Sequence, residues 1–209
     1  SKFAHKSHFK MSKKAKIIQM PLSPEKYIRQ KARNLPIHEC IINKDWKEGG
    51  LASIIVSRRH PTGKITAGMY LVDLYCLGLR ETLYKFNLSE QGYSEFKSEV
   101  KNHMHCINAN YTLLHNIIYG GIAYADDLGL NCHKDFNTTQ FILEEDDERV
   151  KLMEIEFGQN DMPCLVLNPN QPPRKDIIAK LDASIGKGNY QVIYMDEEYD
   201  EDEITDGNI

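Results

Sequence analysis

The pattern of hydrophobic and polar positions is most informative over residues 54–79, where two apolar stretches flank a turn sequence at residues 60–64. Gly63 provides the conformational freedom that a tight turn needs, so the pattern predicts a β-hairpin. The second arm is apolar on both faces, which is typical of a strand that is buried on both faces. That arm nevertheless carries a carboxylate, Asp73, in its middle.

Other segments repeat their apolar residues at helical spacing. The longest spans residues 111–128, with Asn110 as its N-cap, and Gly121 in its apolar stripe predicts close packing of this helix against a sheet. Ser23 and Pro24 mark the start of another helix. Helices are predicted over residues 24–34, 91–106, 138–143 and 174–185, with a change from strand to helix character at Arg80.

Strand patterns complete the predicted order of elements. We expect a short strand within residues 37–46, a second hairpin with arms at 151–157 and 162–167, and a final strand at 190–195. This order predicts an α+β fold, in which an antiparallel or mixed sheet built on two β-hairpins packs against a helical layer.

Charge divides the chain into three parts. Residues 1–35 contain ten Lys or Arg and one acid, whereas residues 196–209 contain eight acids and no base. Such blocks of like charge are typical of mobile or interacting tails. We therefore predict a basic, mobile N-terminal arm over residues 1–22, a single α+β domain over 23–195 and an acidic, disordered tail over 196–209.

The cysteines and the apolar runs bear on the location of the protein. The five cysteines are scattered and form no CxxC pair, which is typical of reduced thiols in a cytosolic protein. The sequence shows no secretory signal and no apolar run of about 18 residues. We expect a cytoplasmic protein without a membrane segment.

Asp73 is the first candidate for chemistry. Burying an unpaired carboxylate costs several kcal/mol, so Asp73 is expected to be paired, protonated or placed at a strand end that opens to a cleft. Arg80, just beyond the strand, is one candidate partner. Two interpretations stay open: a structural carboxylate that accepts backbone N–H groups, or a general base or metal ligand.

The loop after the long helix carries a second candidate pair, His133 and Asp135. These residues could act as a base and its orienting group, or as metal ligands. Alternatively, Asp135 caps the next helix and His133 is a surface residue. His103 and His105 would point in nearly opposite directions on a helix, which disfavours a zinc site there. Glycine-rich nucleotide-binding loops are absent from the sequence.

Four segments together resemble a group of bacterial cytosolic proteins to which no activity is assigned: LPIHEC at residues 35–40, IVSRR at 55–59, YLVDLYCLG at 70–78 and YADDLG at 124–129. The resemblance covers most of residues 23–195. It implies a bacterial origin and a single domain, and it transfers no functional residue.

Two functions from different classes follow from these observations. The lack of a catalytic motif favours an interaction module that docks a protein or nucleic-acid partner, with the basic arm and the acidic tail as contact segments. The alternative is a divalent-metal-dependent hydrolase, a nuclease or phosphoesterase, in which Asp73, His133 and Asp135 would hold the ion that activates water.

Overall fold

The structure, a computed structural model, describes residues 20–101, 104–170 and 172–195. Seven strands lie in these ranges: β1 (Ile37–Asn43), β2 (Leu51–Arg59), β3 (Ile65–Asp73), β4 (Gly78–Leu88), β5 (Cys106–Asn108), β6 (Cys164–Leu167) and β7 (Gln191–Tyr194). The α-helices are α1 (Pro24–Lys31), α2 (Trp46–Gly49), α3 (Glu90–Lys101), α4 (Tyr111–Asp127), α5 (Phe136–Thr139) and α6 (Lys175–Ser184). Short 3-10 helices span Ala32–Asn34 and Gln140–Ile142.

Strands β1 to β5 form one antiparallel sheet in the order β4-β3-β2-β1-β5, and β6 and β7 form a separate parallel pair. The predicted α+β fold is confirmed. The predicted hairpin around His60 is β2–β3, closed by a backbone hydrogen bond from His60 N to the Lys64 carbonyl at 2.8 Å. None of the described helices combines the length and the hydropathy needed to cross a bilayer.

The central sheet is covered on both faces because its middle strands carry apolar residues on both faces. In β2, Ile54 and Val56 pack into the cluster that holds α4, and Ile55 between them packs against α3 on the opposite face. Successive strand residues point to opposite faces, so one strand supplies both cores. The apolar character of residues 54–79 therefore predicted the burial of this sheet correctly.

Helix α4 begins as predicted, with the Asn110 side chain accepting a hydrogen bond from the Thr112 N–H at 2.8 Å. Its close packing on the sheet, predicted from Gly121, is also confirmed. A Cβ atom at Gly121 would lie 2.6 Å from Val72 Cγ1, and a Cβ at Gly78 would meet the Gly121 carbonyl oxygen. Two glycines thus face each other where the helix crosses the sheet.

The predicted change to helix at Arg80 is wrong, because residues 78–88 form the edge strand β4. The sequence alternates there: Thr82, Tyr84 and Phe86 turn towards the core that holds α4, whereas Glu81 and Lys85 are exposed. This period of two is the signature of a half-buried strand. The hairpin β3–β4 therefore supplies the second hairpin of the fold.

The second hairpin predicted at residues 151–167 does not form. Residues 151–157 are extended but pair with no strand among the described residues, and only an isolated bridge joins Gln159 and Met162. The Asn116 side chain of α4 donates to the Lys151 carbonyl at 3.0 Å and accepts from the Met153 N–H at 2.9 Å. These two bonds hold the segment against the helix instead of against a strand.

The side chain of Arg58 links three segments beneath the helical layer. It is almost completely buried, with only 1% of its surface exposed. It donates to the carbonyls of Ile142, Arg33 and Leu35 at 2.5, 3.1 and 2.5 Å and to the Glu144 carboxylate at 2.6 Å. A buried guanidinium is tolerated only when its donors are satisfied. Arg58 therefore joins strand β2 to the chain before β1 and to the chain after α5.

The predicted arm over residues 1–22 and the predicted tail over 196–209 lie almost wholly outside the described residues, which begin at Met20 and end at Met195. The division of the chain into these three parts stays a prediction.

Candidate functional site

Asp73 lies at the end of β3, not in the middle of a longer strand, because the chain turns at residues 74–77 before β4 begins. Its Oδ1 accepts hydrogen bonds from the backbone N–H groups of Tyr75 and Cys76, both at 2.9 Å. Burial raises the pKa of this carboxyl, and the two N–H groups and the charge of Arg80 oppose that rise. The geometry matches the structural interpretation, in which the carboxylate closes the β3–β4 turn.

His133 and Asp135 lie side by side in the loop between α4 and α5. The distance from His133 Nδ1 to Asp135 Oδ2 is 3.9 Å, and Nδ1 also accepts the backbone N–H of Asp135 at 3.3 Å. Asp135 occupies the N-cap position of α5, as one interpretation proposed, but its side chain makes no capping hydrogen bond. Both side chains are partly exposed, and the hydrogen bond between the two residues fixes the position of the His133 ring.

The structure brings His133 and Asp135 together but directs Asp73 towards its own turn. Among the described residues, no group of three His, Cys, Asp or Glu side chains is arranged to hold a metal ion. The joint role of Asp73, His133 and Asp135 in a hydrolase stays a prediction.

His133 also lines a cleft of about 360 Å³, here called the basic cleft, between the start of β4, the loop after α4 and the first turns of α6. A volume of this order is at the lower end of ligand-binding pockets. The cleft is lined by Leu77, Leu79, Arg80, Glu81, Leu130, Asn131, His133, Arg174, Asp176, Ile177 and Lys180.

The position of the basic cleft follows from the β6–α6–β7 unit. Because β6 and β7 are parallel, their carboxyl ends lie at one edge, and α6 begins there. Ile177 and Leu181 anchor the helix on Leu165 and Leu167 of β6. Ligands of α/β units commonly bind outside the carboxyl ends of the strands, and the first turns of α6, which follow β6, line this cleft.

The charges of the basic cleft are only partly paired. Arg174 lies 3.5 Å from the Asp176 carboxylate. Arg80 and Lys180 are exposed, and neither forms a salt bridge with a residue that the structure describes. The three bases outnumber the two acids of the cleft, Glu81 and Asp176, which leaves a formal net positive charge among its Lys, Arg, Asp and Glu side chains. The cleft can therefore accept an anionic group.

A second polar cluster, between β1 and α3, has its charges paired internally. Lys97 donates to Glu39 at 2.8 Å, and Arg59 donates to Glu90. Burial, followed by the charge of Arg59, lowers the pKa of His38, so this ring is neutral at pH 7 and accepts from Arg59 at 3.0 Å. No charge is left over in this cluster for a ligand, so the basic cleft is the better candidate.

Arg80 and His133 were candidates from the sequence, whereas Arg174, Lys180 and Asn131 were not predicted as members of one site. Arg174 and Lys180 are separated from Arg80 by about a hundred positions in the sequence. Their only local signal is a cluster of bases around the start of an amphipathic helix, which more often forms a solvated surface. The packing of α6 beside β4 and the α4–α5 loop creates the site.

Comparison of the chain with protein-family models, with curated proteins and with solved structures gave no match. The resemblance to a group of bacterial cytosolic proteins accordingly stays an expectation from the sequence.

Proposed function

We propose that the protein is an interaction module whose basic cleft binds a carboxylate-rich segment of a partner protein. The observation that carries this proposal is the pair Arg80 and Lys180, which line one concave surface without a salt bridge to any described residue. Unpaired cations at a concave surface are suited to carboxylates, and a guanidinium can bind both oxygens of one.

The apolar residues of the cleft support a peptide as its occupant. Leu77, Leu79 and Ile177 lie among the charged groups, so the cleft offers contacts for carbon chains as well as for carboxylates. Peptide-binding sites combine such apolar contacts with a few convergent polar groups.

Overall charge favours a protein partner over a nucleic acid for this surface. Residues 20–195 contain 20 Lys or Arg and 22 Asp or Glu, a formal net charge of −2. Proteins that track a phosphate backbone need an extended basic surface, because affinity arises from several phosphate contacts. The nucleic-acid alternative depends on the lysine-rich residues 1–22.

A cytoplasmic location agrees with this proposal. All five cysteines are free thiols, and Cys40, Cys76 and Cys164 are buried. Intracellular proteins keep their cysteines in this state.

Neutralising the cleft should weaken the binding of an acidic peptide. The probe is a fluorescein-labelled octaglutamate peptide, followed by fluorescence anisotropy. We expect the double variant Arg80→Gln/Lys180→Gln to bind about tenfold more weakly, because two partly screened ion pairs contribute about 0.5–1 kcal/mol each. The matched control Lys44→Gln/Lys64→Gln removes two exposed charges elsewhere and should bind like the wild type.

Two results would contradict this proposal. One is equal affinity of the cleft variant and the control variant for the peptide. The other is tighter binding of a labelled oligothymidylate than of the peptide, with no loss in the cleft variant. The second result would favour nucleic-acid binding through another surface.

The metal-dependent hydrolase is the second proposal, and the proximity of His133 to Asp135 is the observation in its favour. Its weak point is Asp73, whose Oδ1 is already occupied by two backbone N–H groups. Substitutions at Asp73 therefore separate the structural role from the metal-binding role.

Asp73→Ala should lower the free energy of unfolding by about 1–3 kcal/mol, because two N–H groups lose their acceptor. Asp73→Asn keeps an acceptor oxygen and removes the buried charge. Because the folded-state pKa is raised, ionised Asp73 costs stability at neutral pH; this cost shrinks as the pH falls below the folded-state pKa and is gone below the pKa of the unfolded chain. Thermal melting should show the Asn variant at least as stable as the wild type at pH 7, with the difference vanishing in acid.

The same melting experiments, repeated with Mg²⁺, Mn²⁺ and Zn²⁺, test the hydrolase directly. A metal that binds the folded state must raise the melting temperature. A rise in the wild type that Asp73→Asn loses would make Asp73 a metal ligand and support the hydrolase. A wild type whose melting temperature no metal raises would remove that proposal.

A further inference from the structure

Strand β7 is an unusually exposed edge. The last three residues of the strand and Met195, which follows it, are hydrophobic but exposed to solvent. Their exposed fractions are 38% for Val192, 40% for Ile193, 57% for Tyr194 and 54% for Met195. Neighbours in a strand point to opposite faces, so both faces of β7 are partly open. Parallel sheets are normally covered on both faces, and β6 is buried in this way, whereas β7 beside it is left partly uncovered.

The backbone of β7 has a free hydrogen-bonding edge. Gln191 N–H and Met195 N–H donate to the carbonyls of Pro163 and Leu167, at 2.8 and 2.9 Å. Alternate residues of a strand bond to the same neighbour, so the N–H and C=O groups of Val192 and Tyr194 point away from β6. No strand in the described part of the chain pairs with that edge.

We propose that β7 pairs antiparallel with β7 of a second copy of this chain, which joins two parallel pairs into a four-stranded sheet across a twofold axis. With Ile193 at the axis, Val192 of each copy lies opposite Tyr194 of the other. These residues have the outward N–H and C=O groups that such a pair exchanges. Pairs of an aromatic and a β-branched residue stabilise antiparallel strands.

The charges on the two sides of β7 favour antiparallel pairing, and they favour a second copy of this chain as the partner. Lys187 is exposed shortly before β7, and the acid-rich sequence of residues 196–209 begins directly after Met195. In an antiparallel pair, the acid-rich sequence of one copy begins on the same side of the axis as the exposed Lys187 of the other copy. Parallel pairing would bring two acidic ends together. The edge is therefore complementary to itself, as a twofold interface requires.

Sedimentation velocity over a range of micromolar concentrations tests this proposal. We expect the wild type to shift towards twice its 24.1 kDa mass as the concentration rises. Val192→Pro removes only an N–H that points outward, and proline is tolerated at such edge positions. This variant should sediment as a monomer. The matched control Val192→Thr keeps that N–H and should still form dimers.

Lys187→Glu is a second variant that leaves the strand itself unchanged. It puts a negative charge in place of a positive one on the side of the axis where the partner's acid-rich sequence begins, so we expect the dissociation constant to rise at least about fivefold. Circular dichroism melting confirms that each variant is folded. A wild type that stays at 24.1 kDa at every concentration overturns the proposal. A dimer that neither Val192→Pro nor Lys187→Glu weakens also overturns it, because the contact then lies elsewhere.

Discussion

Replacing Arg58 with methionine is expected to lower the free energy of unfolding by about 3–5 kcal/mol. The substitution removes four hydrogen bonds at once and leaves the carbonyls of Arg33, Leu35 and Ile142 without their donor. Buried acceptors that lose a partner carry the full desolvation cost. The helical layer should therefore loosen from β2 before the sheet itself unfolds.

Thermal melting gives the readout for Arg58→Met. For a chain of this length each kcal/mol shifts the Tm by about 2–4 °C, so a fall of about 10 °C is expected. The matched control is Arg149→Met. Like Arg58, Arg149 forms ion pairs, in its case with Glu145 and Asp147, but its side chain is 65% exposed. Exposed pairs contribute less than about 1 kcal/mol. Equal shifts in the two variants would show that burial does not determine the contribution of Arg58.

Gly78→Ala should cost about 2–5 kcal/mol, from two additive causes. Gly78 has φ +60°, a left-handed conformation that costs an L-residue with a side chain about 1–2 kcal/mol. Its new Cβ would also lie 2.7 Å from Ala125 Cβ and against the Gly121 carbonyl, so α4 would have to move away from the sheet. Overpacking of this kind costs about 1–3 kcal/mol.

Gly63→Ala separates these two causes. Gly63 also has a positive φ, of +83°, but nothing lies within 4 Å of the position of its Cβ. We expect Gly63→Ala to lose only the conformational part, about 1 kcal/mol. Denaturant titration of both variants measures the difference. If the two alanine variants were equally stable, close packing between α4 and the sheet would not limit stability.

Strong local signals explain the parts of the fold that were predictable. Residues 54–73 alternate between two buried faces around a glycine-containing turn, and Asn110 begins a long amphipathic helix. Each signal depends on residues close in sequence, so no knowledge of the tertiary structure is needed.

The two failures arose where long-range contacts decide between local alternatives. Strand β4 combines helix-compatible residues with the alternation of a half-buried strand, and pairing with β3 decides between the two. Residues 151–157 have a strand pattern, but Asn116 binds them to a helix. The Asn116 amide lies 35 residues before the Lys151 carbonyl that it binds, so the hydrophobic pattern of residues 151–157 does not indicate this contact.

The candidate site, like the fold, was predictable from the sequence only in part. The sequence singled out Asp73 because a carboxylate in an apolar strand needs an explanation, and the two N–H groups of the following turn provide one. The basic cleft could not be predicted, since it combines β4, the α4–α5 loop and α6. Only the folded chain brings their charges to one surface.

The attachment of residues 151–157 to α4 has a consequence for how this region can vary among related sequences. The two hydrogen bonds from Asn116 reach backbone groups of Lys151 and Met153, which every amino acid except proline can supply. Leu152 between them is 86% exposed. The side chains of residues 151–153 are therefore free to diverge, whereas the constraint falls on one asparagine in a helix distant in sequence.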